Sequence, residues 1–122
     1  MAMAENLVTQ LEDLTGEPFD CGSLVWLCND RLSPGALQTL GLSTIEPGKQ
    51  NPLHYHPNCE ELLYVLSGEG RHRIGSEFVD VRPGTTVRIP TGVLHNLANT
   101  GTETLTCLIS FSSGDRQTVF LV

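Results

Sequence analysis

Residues 48–68 read GKQNPLHYHPNCEELLYVLSG, and the placing of His54, His56, Glu60 and Glu61 within them decides how the chain is to be understood. On an extended strand His54 and His56 project to one face, with Cα atoms roughly 6.5–7 Å apart. That separation lets two imidazoles reach a single ion through bonds of about 2.0–2.1 Å. The same pair also suits an exposed strand, so the surroundings must choose. Glu60 and Glu61 are adjacent and therefore point to opposite faces, so only one of them can look at such an ion.

A second stretch, GTTVRIPTGVLHNLAN over residues 84–99, brings another histidine, His95. Taken together the two stretches carry a specific pattern. Gly48 to Gly68 resembles the first cupin motif, G(X)5HXH(X)3,4E(X)6G, with four residues before the glutamate. Gly84 to Asn99 resembles the second, G(X)5PXG(X)2H(X)3N, at every defined position. Fifteen residues separate Gly68 from Gly84, similar to the shortest spacing between these motifs in that superfamily. Glu61 fits the spacing to both His56 and Gly68. Choosing Glu60 instead would put Ser67 at the closing glycine.

The resemblance implies a cupin barrel, a jelly roll (double-stranded β-helix) of two antiparallel sheets. It also implies one divalent metal held by His54, His56, Glu61 and His95. Three neutral imidazoles and one carboxylate suit Fe, Mn, Ni, Co or Zn. Four protein donors leave one or two positions for water, substrate or oxygen. Cys59 lies between the ligands, but the loop already supplies enough donors. Cupin-type thiol dioxygenases typically lack the glutamate, so Glu61 argues against that subfamily.

Beyond the motifs the chain reads as short strands divided by Gly, Pro, Asn and Asp at intervals of about ten residues, the pattern of an all-β sandwich or barrel. The expected strands fall near 24–27, 37–45, 61–68, 70–75, 77–84, 85–90, 93–101, 103–111 and 117–122, with a tight turn at Gly75-Ser76. Leu7, Leu11 and Leu14 follow a helical spacing that Gly16 and Pro18 end. We therefore expect an N-terminal segment over 1–20 with a short amphipathic helix, and one barrel domain over 21–122. In ELLYVLSG both faces are apolar after Glu61, so something should cover Leu62, Tyr64 and Leu66. A homodimer contact or the N-terminal segment would do so.

Candidate pocket residues follow from alternation. Leu63, Val65 and Leu97 should share the inner face. In RHR over 71–73, either His72 turns inward as an acid/base, or it is a surface histidine and Arg71 and Arg73 turn inward to hold a carboxylate or phosphate. A surface place is the ordinary expectation for a histidine flanked by two arginines. Trp26, the single tryptophan, reads as core or interface.

Composition excludes several classes. A formal charge of −7, with Lys49 the single lysine, argues against nucleic acid as a partner. No apolar run approaches the roughly 18 residues of a membrane span. The start, MAMAENLVTQLEDL, has neither the basic nor the apolar region of a secretory signal. Cys21, Cys28, Cys59 and Cys107 show no CxxC spacing, so reduced thiols and a cytoplasmic location are expected. There is no GxSxG elbow and no phosphate-binding glycine loop.

Three functions fit this reading. The first is an enzyme working on a small molecule, either an Fe(II)/Mn(II)-type dioxygenase or a metal-assisted isomerase or lyase on a sugar or a keto or hydroxy acid. The second is a non-catalytic module that binds metal and a small ligand such as a sugar. The third is a barrel stapled by its metal.

Overall fold

The computed structural model describes residues 3–121; Met1, Ala2 and Val122, at the ends of the expected N-terminal segment and last strand, lie outside the described residues. Eleven strands follow one another among the described residues. They are β1 (Glu17–Phe19), β2 (Gly22–Cys28), β3 (Thr39–Ile45), β4 (His54–Tyr55), β5 (Glu61–Ser67), β6 (Gly70–Ile74), β7 (Glu77–Val81), β8 (Thr86–Ile89), β9 (His95–Asn99), β10 (Leu105–Phe111) and β11 (Val119–Phe120). One sheet runs β1-β2-β3-β10-β5-β8 and the other β11-β4-β9-β6-β7. All pairings are antiparallel.

The core lies between the two sheets and follows the pleat. In β5, Glu61, Leu63 and Val65 turn inward and are buried, while Leu62, Tyr64 and Leu66 turn outward. Inward residues of neighbouring strands meet them in register: Ile109 opposite Leu63, Cys107 opposite Val65, and Val87 opposite Leu63. Leu97 closes this layer from the second sheet, buried like Leu63 and Val65. Gly68 ends β5 with φ of +87°, and a Cβ there would lie 2.7 Å from the Leu105 backbone. Glycine is required at that corner on both grounds.

The expected amphipathic helix does not form. The chain makes 3-10 turns at Met3–Asn6 and Leu11–Asp13, and Leu7, Val8 and Leu11 remain more than half exposed. A helix this short is marginal unless a surface receives its apolar face. Here the segment instead ties its polar groups to the barrel, with Thr9 Oγ1 donating to the Leu27 carbonyl and Ser33 Oγ to that of Asn6. The end of the segment joins the larger sheet, where Glu17–Phe19 pairs with β2. It does not cover Leu62, Tyr64 and Leu66, which stay 46%, 42% and 47% exposed.

Candidate metal centre

One end of the barrel gathers the strand termini that carry the motif residues. Glu61, the first residue of β5, lies between Phe111 and Ile89, the last residues of β10 and β8. Across the core, His95 opens β9 and lies between His54 of β4 and Ile74, which ends β6. The turn before β9 is fixed by the other motif, because the Gly92 N–H donates to the His56 carbonyl at 2.9 Å. Asn99, the last motif position, is buried away from the centre. Its amide donates to the carbonyls of Ile45 and Glu103, each at 2.8 Å, and its oxygen accepts from Gly101 N–H. It closes the turn after β9.

His54, His56, Glu61 and His95 each offer one donor atom, and these atoms all lie within 4.8 Å of one another. All four residues are buried, none more than 6% exposed. The outer nitrogen of each imidazole is committed to a backbone carbonyl. His54 Nδ1 donates to Pro52 at 2.7 Å, His56 Nδ1 to Gln117 at 2.9 Å, and His95 Nδ1 to Val93 at 2.8 Å. Carbonyls only accept, so each Nδ1 carries a proton and Nε2 is the nitrogen left to offer a lone pair to an ion. Two of those nitrogens, from His56 and His95, face the same Glu61 oxygen at 3.1 and 3.2 Å. Acceptor then opposes acceptor, which a shared cation relieves. This donor set fits a divalent metal, and carbonyls behind the ligating rings are the usual means of aiming them.

The electrostatics agree. Burial pushes the Glu61 carboxyl up, but where protons rather than a metal stand between it and the Nε2 atoms of His56 and His95, their hydrogen bonds and charge outweigh burial and hold the group at about 2. Burial first, then the neighbouring His95, holds the His54 imidazole down at about 4. Near neutral pH the centre thus has an ionised carboxylate and a neutral His54, the forms a metal needs.

Glu60 points the other way, where its carboxylate accepts from Arg88 Nε at 2.9 Å on the surface. The surface reading of His72 is overturned. His72 is 1% exposed, and its ring lies parallel to that of His95 with centroids 5.9 Å apart. Its Nδ1 donates to the Arg73 carbonyl, and burial, partly opposed by Glu61, holds the imidazole at about 4. Arg71 and Arg73 therefore cannot line the interior. Arg71 Nε donates to Asp80 on the exposed side, and Arg73 folds over the Phe78 ring with Nε on the Gly75 carbonyl. An imidazole costs less to bury than a guanidinium, and that difference sets the phase of β6.

Sequence reasoning missed the contribution of the last ten residues. Gln117 supplies the carbonyl behind His56, and Thr118 Oγ1 lies 3.2 Å from the same nitrogen. Phe120 packs against His54 with ring centroids 5.7 Å apart. The Arg116 guanidinium lies over Trp26 and Phe111 beside the centre. A backbone carbonyl leaves no signature in a sequence, and SSGDRQT has no alternation from which to read direction. Cys59 is buried in the ligand loop but is not among the four donors.

Comparison with known proteins agrees with this fold. Residues 41–111 match the cupin domain family. The chain is 36% identical over 100 residues to the putative germin-like protein 3-4 of Oryza sativa subsp. japonica, an alignment covering 72% of this chain and 43% of that protein. The chain thus spans less than half the length of that relative. The Lactobacillus farciminis oxalate decarboxylase formate complex superposes with a TM-score of 0.85 at 23% identity, covering 92% of this chain and 35% of that one. Bacillus subtilis oxalate decarboxylase, a protein with Mn(II) centres, gives a TM-score of 0.82 at 24% identity over 91% of this chain and 31% of that one. At such identities the likeness is one of fold.

Proposed function

This chain belongs to the cupin family, and we propose that it is a divalent-metal enzyme that cleaves or rearranges a small organic acid. The observation that carries the reading is the buried cluster of His54, His56, Glu61 and His95, with its lone pairs turned to one point. A metal bound there supplies Lewis-acid polarisation of a carboxylate or carbonyl, or a redox centre if it is Mn or Fe. The chain's own residues do the rest. The carbonyls of Pro52, Gln117 and Val93 orient the ligands, and the apolar layer of Leu63, Val65 and Leu97 keeps water from the far side. His72, parallel to His95, is the added imidazole that proton movement beside the metal would use. The fold shared with oxalate decarboxylases supports an acid substrate and a lyase reaction over a sugar.

The test is to load the chain separately with Mn(II), Fe(II), Co(II), Ni(II) and Zn(II) and follow a panel of small keto, hydroxy and dicarboxylic acids by NMR, with oxygen uptake in parallel. Consumption of one acid that depends on metal and on Glu61 supports the enzyme. Retention of an acid with no turnover under any metal favours a binding module, the reading that the deep burial of all four ligands also fits.

We also propose that two copies associate through the outer face of the larger sheet. Val25, Leu42, Leu108 and Tyr64 lie opposite one another across four strands, flanked by Leu62 and Leu66. An apolar row of this extent is unusual on a surface that faces only water. The absence of disulfides among the four cysteines supports a reducing compartment such as the cytoplasm. No helix among the described residues is long and apolar enough to cross a membrane.

A further inference from the structure

We propose that Arg116 is the anion anchor of this centre and takes the carboxylate of a small organic acid in a cleft at the metal-bearing end of the barrel. The inference deepens the reading of the chain as an enzyme on small acids and rests on it for the identity of the ligand.

Arg116 lies in the loop between β10 and β11, and that loop is tied down on both sides of it. Thr39 Oγ1 donates to the Ser113 carbonyl, and Asp30 N–H to that of Gly114. Asn58 brackets the next residues, donating to the Asp115 carbonyl and accepting from Gln117 N–H. The guanidinium carbon lies over two rings, 4.9 Å from the Trp26 centroid and 5.0 Å from that of Phe111. Rings of this kind attract a guanidinium through their π faces and accept no conventional hydrogen bond from it.

Among the described residues its N–H groups have no protein partner. Among the described residues the ion pairs of basic side chains involve Lys49, Arg71 and Arg88, not Arg116. Its Nε is buried with no acceptor in reach. Burial lowers the guanidinium from its ordinary value, while Glu61, Cys59 and Glu17 act from farther off in the opposite sense. A guanidinium stays charged even so, and its planar fork matches a carboxylate through two parallel hydrogen bonds. A half-buried arginine held against two aromatic rings and lacking an anion is suited to receive one.

The cleft it borders has a volume of about 120 Å³ and is lined by Trp26, Asn29, Thr39, Gly114, Asp115 and Arg116. That space suits a compact acid rather than an extended one. Asn29 accepts from Leu32 N–H through its oxygen, which leaves its amide N–H groups as donors to a guest. Asp115 is the opposing feature. Its carboxylate is engaged by Gln117 Nε2 at 3.1 Å but still disfavours a second anion nearby. The position relative to the centre gives the subsite its meaning. The Phe111 ring that carries Arg116 also packs edge-on against His56, with centroids 5.0 Å apart. One aromatic ring therefore separates the anchor from a metal ligand.

Trp26 is the single tryptophan and touches the guanidinium, so its fluorescence reports the cleft. The full chain, as purified and again after metal removal, is titrated with malonate and with the uncharged malonamide. We expect a saturable fluorescence change with malonate and none with malonamide, in both forms of the protein. Arg116→Gln should raise the malonate Kd by at least about tenfold, Arg116→Lys by less, and Asp115→Asn should lower it, all with unchanged metal content. No saturable change with malonate up to about 10 mM, or equal Kd values for wild type and Arg116→Gln, overturns the proposal. If Arg116→Gln does not fold, Asp115→Asn decides, and an unchanged Kd overturns it. Because the metal-free chain is read directly, failure here leaves the metal centre standing, and failure of the metal reading leaves this titration interpretable.

Discussion

His56 and Gln117 stand 61 residues apart in sequence and meet at 2.9 Å, the imidazole Nδ1–H donating to the main-chain carbonyl. The contact makes the end of the chain part of the metal centre. Thr118 Oγ1 and the Phe120 ring strengthen the same link, through His56 and His54 respectively. Partners of this kind typically carry about 10–100-fold in metal affinity. Truncation after Arg116 should therefore leave a folded barrel whose metal affinity falls by about that factor. Competition with a chromophoric chelator measures it, and an unchanged affinity would remove the last strand from the site.

The two adjacent glutamates should respond in opposite ways. Glu61→Gln deletes the only anionic donor and should lower metal affinity by at least about 100-fold. Glu60→Gln loses a surface contact with Arg88 and should cost no more than about 1 kcal/mol of stability. Metal content and denaturation midpoints of both variants check this. A loss of metal in the Glu60 variant would mean the pleat has been misassigned.

Acid should weaken the metal-free chain over a defined window. His54 and His72 are held at about 4, chiefly by burial, against an unfolded value near 6.5. Between those values the unfolded chain binds protons that the folded chain refuses, so stability falls as pH drops from about 6.5 to about 4. Glu61, held at about 2 from an ordinary 4.5, extends the fall toward pH 2 by the same sign. Denaturant midpoints across this range should decline steadily, and His72→Leu should flatten the upper part. Constant or rising stability on acidification from pH 6.5 to 4 would contradict the buried neutral imidazoles.

Tyr64→Glu places a charge at the end of the outward apolar row, between Leu62 and Leu66, where Tyr64 faces Leu108 across the strand pair. Sedimentation should show wild type as a dimer and the variant as a monomer with its metal retained. A monomeric wild type would end the proposal of association through this sheet.

Much of the centre could be read from spacing because cupin ligands sit close to their motif glycines. His54, His56, Glu61 and His95 converge as the two motifs imply, and the pleat separates Glu61 from Glu60 as alternation requires. Strand order was less legible, since β10 pairs with β3 and β5 over long sequence distances that no local pattern encodes. The phase of β6 turned on whether His72 or two arginines would bear burial, a matter of desolvation rather than periodicity. At Leu7 and Leu11 helical spacing was present, but no surface received the apolar face, so 3-10 turns formed instead. Arg116 had no pattern around it, and its place depends on rings contributed by β2 and β10.

The most direct measurement is metal content by elemental analysis of the wild-type chain and of His95→Ala after loading with Mn(II) and removal of excess. Wild type should retain about one ion per chain, and His95→Ala should lose nearly all of it while keeping a β-sheet circular dichroism spectrum. Full retention of metal by His95→Ala, or no binding by wild type, would contradict a metal centre built from His54, His56, Glu61 and His95.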